Sequence, residues 1–528
     1  MFIEPEAVYT VEQIRAIETA CLKHKEDPIA PKELMRRAAQ AAFEQLTIVM
    51  PDDEATIGIV CGGGNNGGDG FTLAKIVADE GFEVVVYPLV PVEKLKGVAK
   101  EAADDCLDAD IEFLDIDPEV GFEEDVVIDA MLGIGCTGPL REPYATAVAM
   151  LNEADGFVIS LDIPTGLDAD SGKVFDDAVM AEYTVTFIGM KMGLLQGQAR
   201  DYTGIIVADD LDLDDKYYEP VEPSCYRLLQ DEINDALTPR MKSSHKGDYG
   251  HVLILGGDLG MPGAARLAAE AALRVGAGLV SVATRPEHVA AIVSGRPEIM
   301  VHGIDDTAAF KALCERATVL VIGPGLGKSD WAEGLLKVAL EQDMPKVIDA
   351  GALDYLIKRK KRVADAVITP HVGEAARLLK MTAEDVQDDR LGVAETLCER
   401  YADTAVLKGP GTLIMTDDEP TYICDAGNPG MASGGMGDVL SGVIAAIIAQ
   451  GIVAHEAATL AVYLHSQAGD LAAEEGERGM IATDLMPYLR MLANPEQTSV
   501  MESNGEEELP FDEDDLALID KLFVRQEK

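Results

Sequence analysis

In the first two hundred positions the apolar residues fall into short unbroken runs rather than an alternating pattern. Runs at 55–61, 82–87, 126–129, 157–162 and 184–187 are rich in Val, Ile and Phe, and helical stretches such as 71–80 separate them. Continuous apolar strands joined by helices predict a mostly parallel sheet covered on both faces. Ahead of them, Thr10 with Gln13 three residues on predicts a capped helix. The second half repeats the pattern. A strand at 251–257 precedes an alanine-rich helix at 263–274 closed by Gly276 and Gly278, and further strand runs stand at 319–322, 346–349, 366–368 and 405–407. The run 439–449 is apolar nearly throughout and predicts a buried helix. The expected class is therefore α/β, with two three-layer αβα domains at 1–218 and 224–495. The acidic, proline-containing stretch 209–223 joins them, and an acidic tail follows at 496–528, within which 516–524 reads as a short docking helix.

In such sheets ligands sit beyond the carboxyl ends of the strands, and polar residues gather at those ends. The first strand runs into Gly-Gly-Gly-Asn-Asn-Gly-Gly-Asp-Gly at 62–70, the third into 131–139 and the fourth into 162–168. Asn66, Asp129 and Thr165 offer hard oxygens suited to a monovalent or divalent cation, and Asp162 could serve as acid or base. In the second half, loops at 323–327, 349–353, 369–374 and 408–412 follow strands in the same way. The cluster Ser433-Gly434-Gly435-Met436-Gly437-Asp438 opens the apolar helix. A glycine turn at a helix start leaves N–H groups outward and adds partial positive charge, which suits phosphate. Asp438 at its mouth can take a proton from a hydroxyl that attacks phosphorus. Its plain alternative is a helix cap. His371 has an alternative as a loop histidine, and Lys408 as a solvated charge.

Composition narrows the field. At 528 residues, two or three domains are expected. Against 43 Lys and Arg stand 94 Asp and Glu, a formal charge of −51, which repels nucleic acid and anionic membranes. Any phosphate site must then be locally positive; Lys242 and Lys246 make 242–250 a basic stretch. The eight cysteines are scattered, with no CxxC pair, so a reducing cytosol is expected rather than a disulfide framework or zinc site. Residues 1–7 carry two glutamates and no basic residue, unlike a signal peptide, and 439–449 is too short to span a bilayer.

The strings GGGNNGGDG, IDAMLGIGCTGPLREP and SLDIPTGLD make the first half resemble the YjeF N-terminal family, the NAD(P)H-hydrate epimerases. The resemblance implies a Rossmann-like domain with potassium at Asn66, Asp129 and Thr165. It implies substrate contacts at Asn65, Asn66, Gly67, Gly68 and Asp69, again at Gly133, Ile134, Gly135, Cys136, Thr137, Gly138 and Pro139, and at Asp162, which is also the expected catalytic residue. Gly63-Gly64 stands where the family often has Gly-Asn, and Thr165 where it often has serine. The strings SHKGDYG, GPGLG, DAGAL, TPHVGE, VLKGPGT and SGGMGD make the second half resemble the ribokinase-like NAD(P)H-hydrate dehydratases. That resemblance implies nucleotide contacts at Lys408, Gly409, Pro410, Gly411, Thr412 and Gly437. It implies hydrate contacts at Ala264, Gly325, His371 and Asp438, with Asp438 as base. Met436 replaces the family's usual threonine.

The expectation is a bifunctional repair enzyme. The first domain interconverts the epimers of hydrated NADH or NADPH. The second dehydrates the S epimer with ADP, giving AMP and phosphate. Phosphorylation turns hydroxide, a poor leaving group, into phosphate, a good one. Magnesium is expected with the nucleotide phosphates, with Glu374 as a candidate to place it. The alternative is a small-molecule kinase with a non-catalytic first domain. A cytoplasmic homo-oligomer acting on small molecules, with neither nucleic acid nor membrane as partner, completes the expectation.

Overall fold

The computed structural model describes residues 6–50, 54–229, 236–359 and 361–494; the tail expected at 496–528 lies outside them. A seven-stranded, wholly parallel sheet occupies the first half. Its order is Glu112–Phe113, Glu83–Pro88, Thr56–Cys61, Val126–Ala130, Phe157–Leu161, Tyr183–Phe187 and Ile205–Asp209. Successive side chains of a strand point to opposite faces, and two cores result. Ile57, Ile59, Val126 and Ile128 pack with Phe71, Ala74 and Leu46 on one face. Val60, Val127 and Val158 pack with Ala147, Val148 and Leu151 on the other.

The second half repeats this plan. The parallel strands Met300–Gly303, Leu279–Thr284, His251–Leu255, Val319–Ile322, Lys346–Ile348, Val363–Ile368 and Ala402–Leu407 lie side by side in that order. Val252, Ile254, Val319 and Val321 face the helices Pro262–Val275 and Met436–Ala449. Leu253, Leu255, Leu320 and Ile322 face the opposite layer. The two helices cross closely enough that a Cβ on Gly442 would collide with the Ala268 carbonyl, which is why small residues populate both.

The strand pattern does not stop at the border between the halves. Beyond Ala402–Leu407 the sheet adds Thr412–Thr416, Tyr422–Cys424 and Cys225–Arg227, then two strands from the first half, Glu6–Tyr9 and Met190–Lys191, to reach twelve strands. Val8, Met190, Leu194 and Leu195 accordingly share a core with Leu253 and Leu413.

One local expectation changes. The helix read from residue 71 begins at Asn65 and runs Asn65–Asp79, inside the glycine string. Gly64 is its N-cap in extended backbone. Gly67 sits where a Cβ would collide with the Gly62 carbonyl, so the glycines let the helix start hard against the preceding strand end. The Thr10–Gln13 capping box forms as read, with Thr10 N–H donating to Gln13 Oε1 at 2.8 Å. Among the described residues all eight cysteines are free and buried, and no helix is long and apolar enough to cross a membrane.

Candidate functional sites at the two sheet ends

At the carboxyl end of the first sheet lies a cavity of about 400 Å³. Its walls bring together Asn65, Asn66 and Asp69 from the first turns of the helix Asn65–Asp79 with Gly133, Ile134, Gly135 and Asp162 from two strand-end loops. Of the remaining predicted contacts, Gly67 and Gly68 are buried, Gly68 against Met35. Cys136 is buried too, Gly138 is half-buried, and Thr137 and Pro139 are exposed.

Asp162 adopts left-handed backbone at φ 67, a costly conformation for a non-glycine residue and one that clusters at functional sites. It brings Oδ2 within 3.1 Å of the Ile134 N–H and Oδ1 within 2.6 Å of the Lys191 ammonium. A Cβ on Gly133 would collide with Asp162 Oδ2, so glycine there is required by the carboxylate's position. Lys191 is almost wholly buried and also donates to the Phe187 carbonyl at 2.5 Å. It escaped the sequence reading; its signal was a lone lysine inside the apolar string Ile-Gly-Met-Lys-Met-Gly-Leu-Leu. Glu18 joins the same cavity from the helix Val11–Lys23. Burial, with Asp162 and Glu18 nearby, holds the Asp69 carboxyl well above the ordinary range, against the opposing pull of Lys191. Burial likewise raises Glu18, with Asp162 adding to it.

Beneath the cavity Asp129 is fully buried. Oδ1 accepts from Met131 N–H at 3.1 Å and Thr165 Oγ–H at 2.8 Å, and Oδ2 accepts from Ser160 Oγ–H at 3.0 Å and Thr165 N–H at 2.8 Å. Burial pushes its carboxyl up to about 6, with those hydrogen bonds pulling the other way. Asn66 donates to the Leu161 carbonyl at 3.2 Å, while its Oδ1 is buried without a partner. An orphaned hard oxygen, a buried carboxylate and a hydroxyl have the donor chemistry of a monovalent-cation site. No cluster of three or more His, Cys, Asp or Glu that could hold a metal occurs among the described residues.

At the carboxyl end of the second sheet the strand-end loops converge. Gly435, at φ 101, turns the chain into Met436–Ala449. A Cβ on the next glycine, Gly437, would lie 3.1 Å from Lys408 Nζ and 3.5 Å from Asp349 Oδ2. Lys408 Nζ lies 3.0 Å from Asp349 Oδ1 and 4.0 Å from Glu374 Oε2, and Ser441 Oγ–H donates to Asp349 Oδ2 at 3.0 Å. Asp349 and Ser441 were not singled out in the sequence, although Asp349 ends an apolar strand as a buried carboxylate. Asp438 joins this group. Burial pushes its carboxyl up to about 7, Asp349 and Glu374 adding to the rise and Lys408 opposing it. A base near neutrality is well matched to taking a proton at physiological pH.

His371 is adjacent, since Lys408 N–H donates to the Pro370 carbonyl at 2.9 Å. Its Nδ1 accepts from Gly373 N–H at 3.0 Å, capping the helix Val372–Leu379, while most of the ring is exposed. The capping role leaves Nε2 facing Glu374, 3.5 Å from its Oε2. Gly325, at φ 61, places its Cα so that a Cβ would lie 3.0 Å from Ala264 Cβ, so these two residues also meet. Gly409 and Gly411 take φ 146 and 69, and Thr412 Oγ–H closes the loop on the Gly409 carbonyl at 3.0 Å. Behind Met436, His465 is fully buried, and burial lowers it to about 4. It is thus neutral, with Nε2–H donating to the Met436 carbonyl at 3.0 Å.

Comparison with known proteins follows the same division. Residues 31–193 match the family described as YjeF-related protein N-terminus, and residues 252–490 match the one described as NAD(P)H-hydrate dehydratase. The chain is 46% identical over 489 residues to the bifunctional NAD(P)H-hydrate repair enzyme Nnr of Coxiella burnetii, covering 92% of this chain and 99% of that one. It is 41% identical over 467 residues to its namesake in Escherichia coli, covering 88% and 90%. Among solved structures it is similar to the ADP/ATP-dependent NAD(P)H-hydrate dehydratase of Bacillus subtilis, co-crystallised with ATP and magnesium. That likeness has 30% identity and a TM-score of 0.45, over 50% of this chain and 96% of that one.

Proposed function

The chain belongs to the family of bifunctional NAD(P)H-hydrate repair enzymes, and from that membership we propose how its two sites divide the work. It carries both activities, NAD(P)H-hydrate epimerase and NAD(P)H-hydrate dehydratase. Epimerisation belongs to residues 1–218 and dehydration to residues 224–495. The observation that supports this division is the presence of two separate carboxylate–lysine pairs, Asp162–Lys191 with Asp162 at the carboxyl end of the first sheet, and Asp349–Lys408 at that of the second.

In the first site the hydroxyl on the hydrated ring carbon leaves as water once protonated, the ring nitrogen lone pair compensating the carbon. Water then returns to the other face and gives up a proton. Asp69, which holds its proton to higher pH than an ordinary aspartate, and the Asp162–Lys191 pair supply and take those protons. Asn65, Asn66, Gly67 and Gly68 with residues 133–139 hold the substrate. Asn66, Asp129 and Thr165 would hold potassium, whose charge would stabilise the buried Asp129 carboxylate.

In the second site Asp438 takes the proton of the S-hydrate hydroxyl as its oxygen attacks the terminal phosphorus of ADP, releasing AMP. Phosphate then leaves the ring carbon, and a proton lost from the neighbouring carbon restores the dihydronicotinamide. Residues 408–412 and Gly437 hold the nucleotide; Ala264, Gly325 and His371 hold the hydrate. Magnesium would be carried in on the phosphates and met by Glu374, since it is usually bound by one or two carboxylates plus substrate phosphates. A kinase with an inert first half is disfavoured by the family membership.

The test is incubation of a mixed-epimer hydrate with ADP or ATP and magnesium, following the absorbance of restored NADH. Complete conversion with one phosphate per NADH supports the reading; a stable phosphate ester would overturn it. The buried free cysteines fit a reducing cytoplasm. Assembly into a homo-oligomer is read out by sedimentation velocity.

A further inference from the structure

A stretch late in the first half reaches the nucleotide loop of the second. After Met190–Lys191 the chain makes two short 3-10 turns, Met192–Leu195 and Gly197–Asp201. Gly197 N–H donates to the Pro410 carbonyl at 3.2 Å. A Cβ on Gly411 would collide with the Leu195 carbonyl, and would lie 2.6 Å from Gln196 Cβ. This strap is itself anchored in the first half. Gly193 N–H donates to the Ala169 carbonyl at 2.8 Å, and Gln196 Nε2 to the Asp170 carbonyl at 2.7 Å. From the other side the buried Arg390 donates to the carbonyls of Leu407 and Gly411, at 3.1 and 2.9 Å. The loop is thus clamped between an arginine of its own domain and a backbone strap from the other.

We propose that residues 192–201 are a positioning element for the nucleotide loop, with Gln196 as its anchor. The first half completes the second site and sets its affinity for a nucleoside di- or triphosphate without touching it. The proposal rests on the reading of residues 408–412 as the nucleotide loop. Two glycines with positive φ give that loop many unbound conformations. Holding it from both sides removes ordering cost that nucleotide binding would otherwise carry. A strap that positions only the loop acts on nucleotide KM and leaves the chemical step alone.

The experiment uses the full chain. Gln196→Ala frees the strap from Asp170, and Gln196→Met does the same while keeping the buried volume should the alanine variant not fold. Lys173→Ala breaks a different contact between the halves, its ion pairs with Glu384 at 3.1 Å and Asp388 at 3.0 Å. Either Gln196 variant is expected to raise the ADP KM by about threefold or more, with dehydratase kcat and epimerase kcat/KM within about twofold of wild type. Lys173→Ala should leave the ADP KM unchanged. An unchanged KM in a folded Gln196 variant overturns the proposal, as does an equal rise in Lys173→Ala. Lys408→Ala serves as the reference arm. If it too leaves the nucleotide KM unaltered, the reading of the loop itself has failed.

Discussion

Lys191 Nζ lies 2.6 Å from Asp162 Oδ1, so the carboxylate that faces the first cavity has its countercharge on the strand that joins the two halves. Removing one partner of a buried pair leaves the other uncompensated. Lys191→Met is expected to lower epimerase kcat/KM by about 10²-fold or more. Dehydration of the purified S epimer should stay near wild type. Asp162→Asn should behave likewise, stalling a mixed-epimer substrate after the S fraction is consumed. Stopped-assay absorbance on separated epimers checks both variants.

As the proposed base, Asp438 would give the second activity its pH dependence. As base it must be ionised, and its carboxyl is pushed up to about 7, so dehydratase kcat/KM should fall as pH drops through that value. Asp349 contributes to the rise; Asp349→Asn removes that negative neighbour and should move the acid limb to lower pH. Asp438→Ala should abolish the limb and cost about 10²-fold to 10⁴-fold in rate. A pH–rate series on the three proteins provides the measurement.

Potassium held at Asp129, as proposed, would link cation binding to stability. Its folded carboxyl titrates near 6, above the roughly 3.9 of an unfolded chain. Between those values the folded state binds more protons than the unfolded one. Stability therefore declines as pH rises from about 4 to about 6, by on the order of 3 kcal/mol, and stays lower above that. A cation beside the carboxylate would offset this. Replacing tetramethylammonium by potassium at constant ionic strength should raise Tm at pH 7.5 and do less at pH 5. Equal Tm in both salts at pH 7.5 would count against a site there.

The helix crossing offers a test of packing. Gly442→Ala drives a methyl group into the Ala268 carbonyl, which is backbone and cannot swing aside. A loss of about 1–3 kcal/mol in urea unfolding is expected, larger than the small gain in helix propensity from replacing glycine.

Much of this was legible in the sequence. Unbroken apolar runs placed the central parallel strands of both sheets; the polar residues at their ends marked Asn66, Asp129 and Asp162, and the glycine turn opening the apolar helix marked Asp438. The helix start at Asn65 was hidden because glycines and asparagines read as turn, whereas here they permit a close approach that only tertiary packing reveals. Lys191 was hidden because its partner Asp162 lies 29 positions away in sequence. The extension of the second sheet was hidden for a related reason. Glu6–Tyr9 and Met190–Lys191 are four and two residues long, too short to carry a periodicity, and what fixes them is pairing with distant strands.

That extension bears on how the polypeptide matures during synthesis. Glu6–Tyr9 pairs with Met190–Lys191 and Cys225–Arg227, and the last of these pairs in turn with Tyr422–Cys424. By the time residue 227 has left the ribosome, the partners of a three-stranded ribbon are all present, with the Cys225–Arg227 edge still awaiting Tyr422–Cys424. The ribbon's own three strands thus come from the first 227 residues, and the one later strand that pairs with it, Tyr422–Cys424, is made almost two hundred residues afterwards.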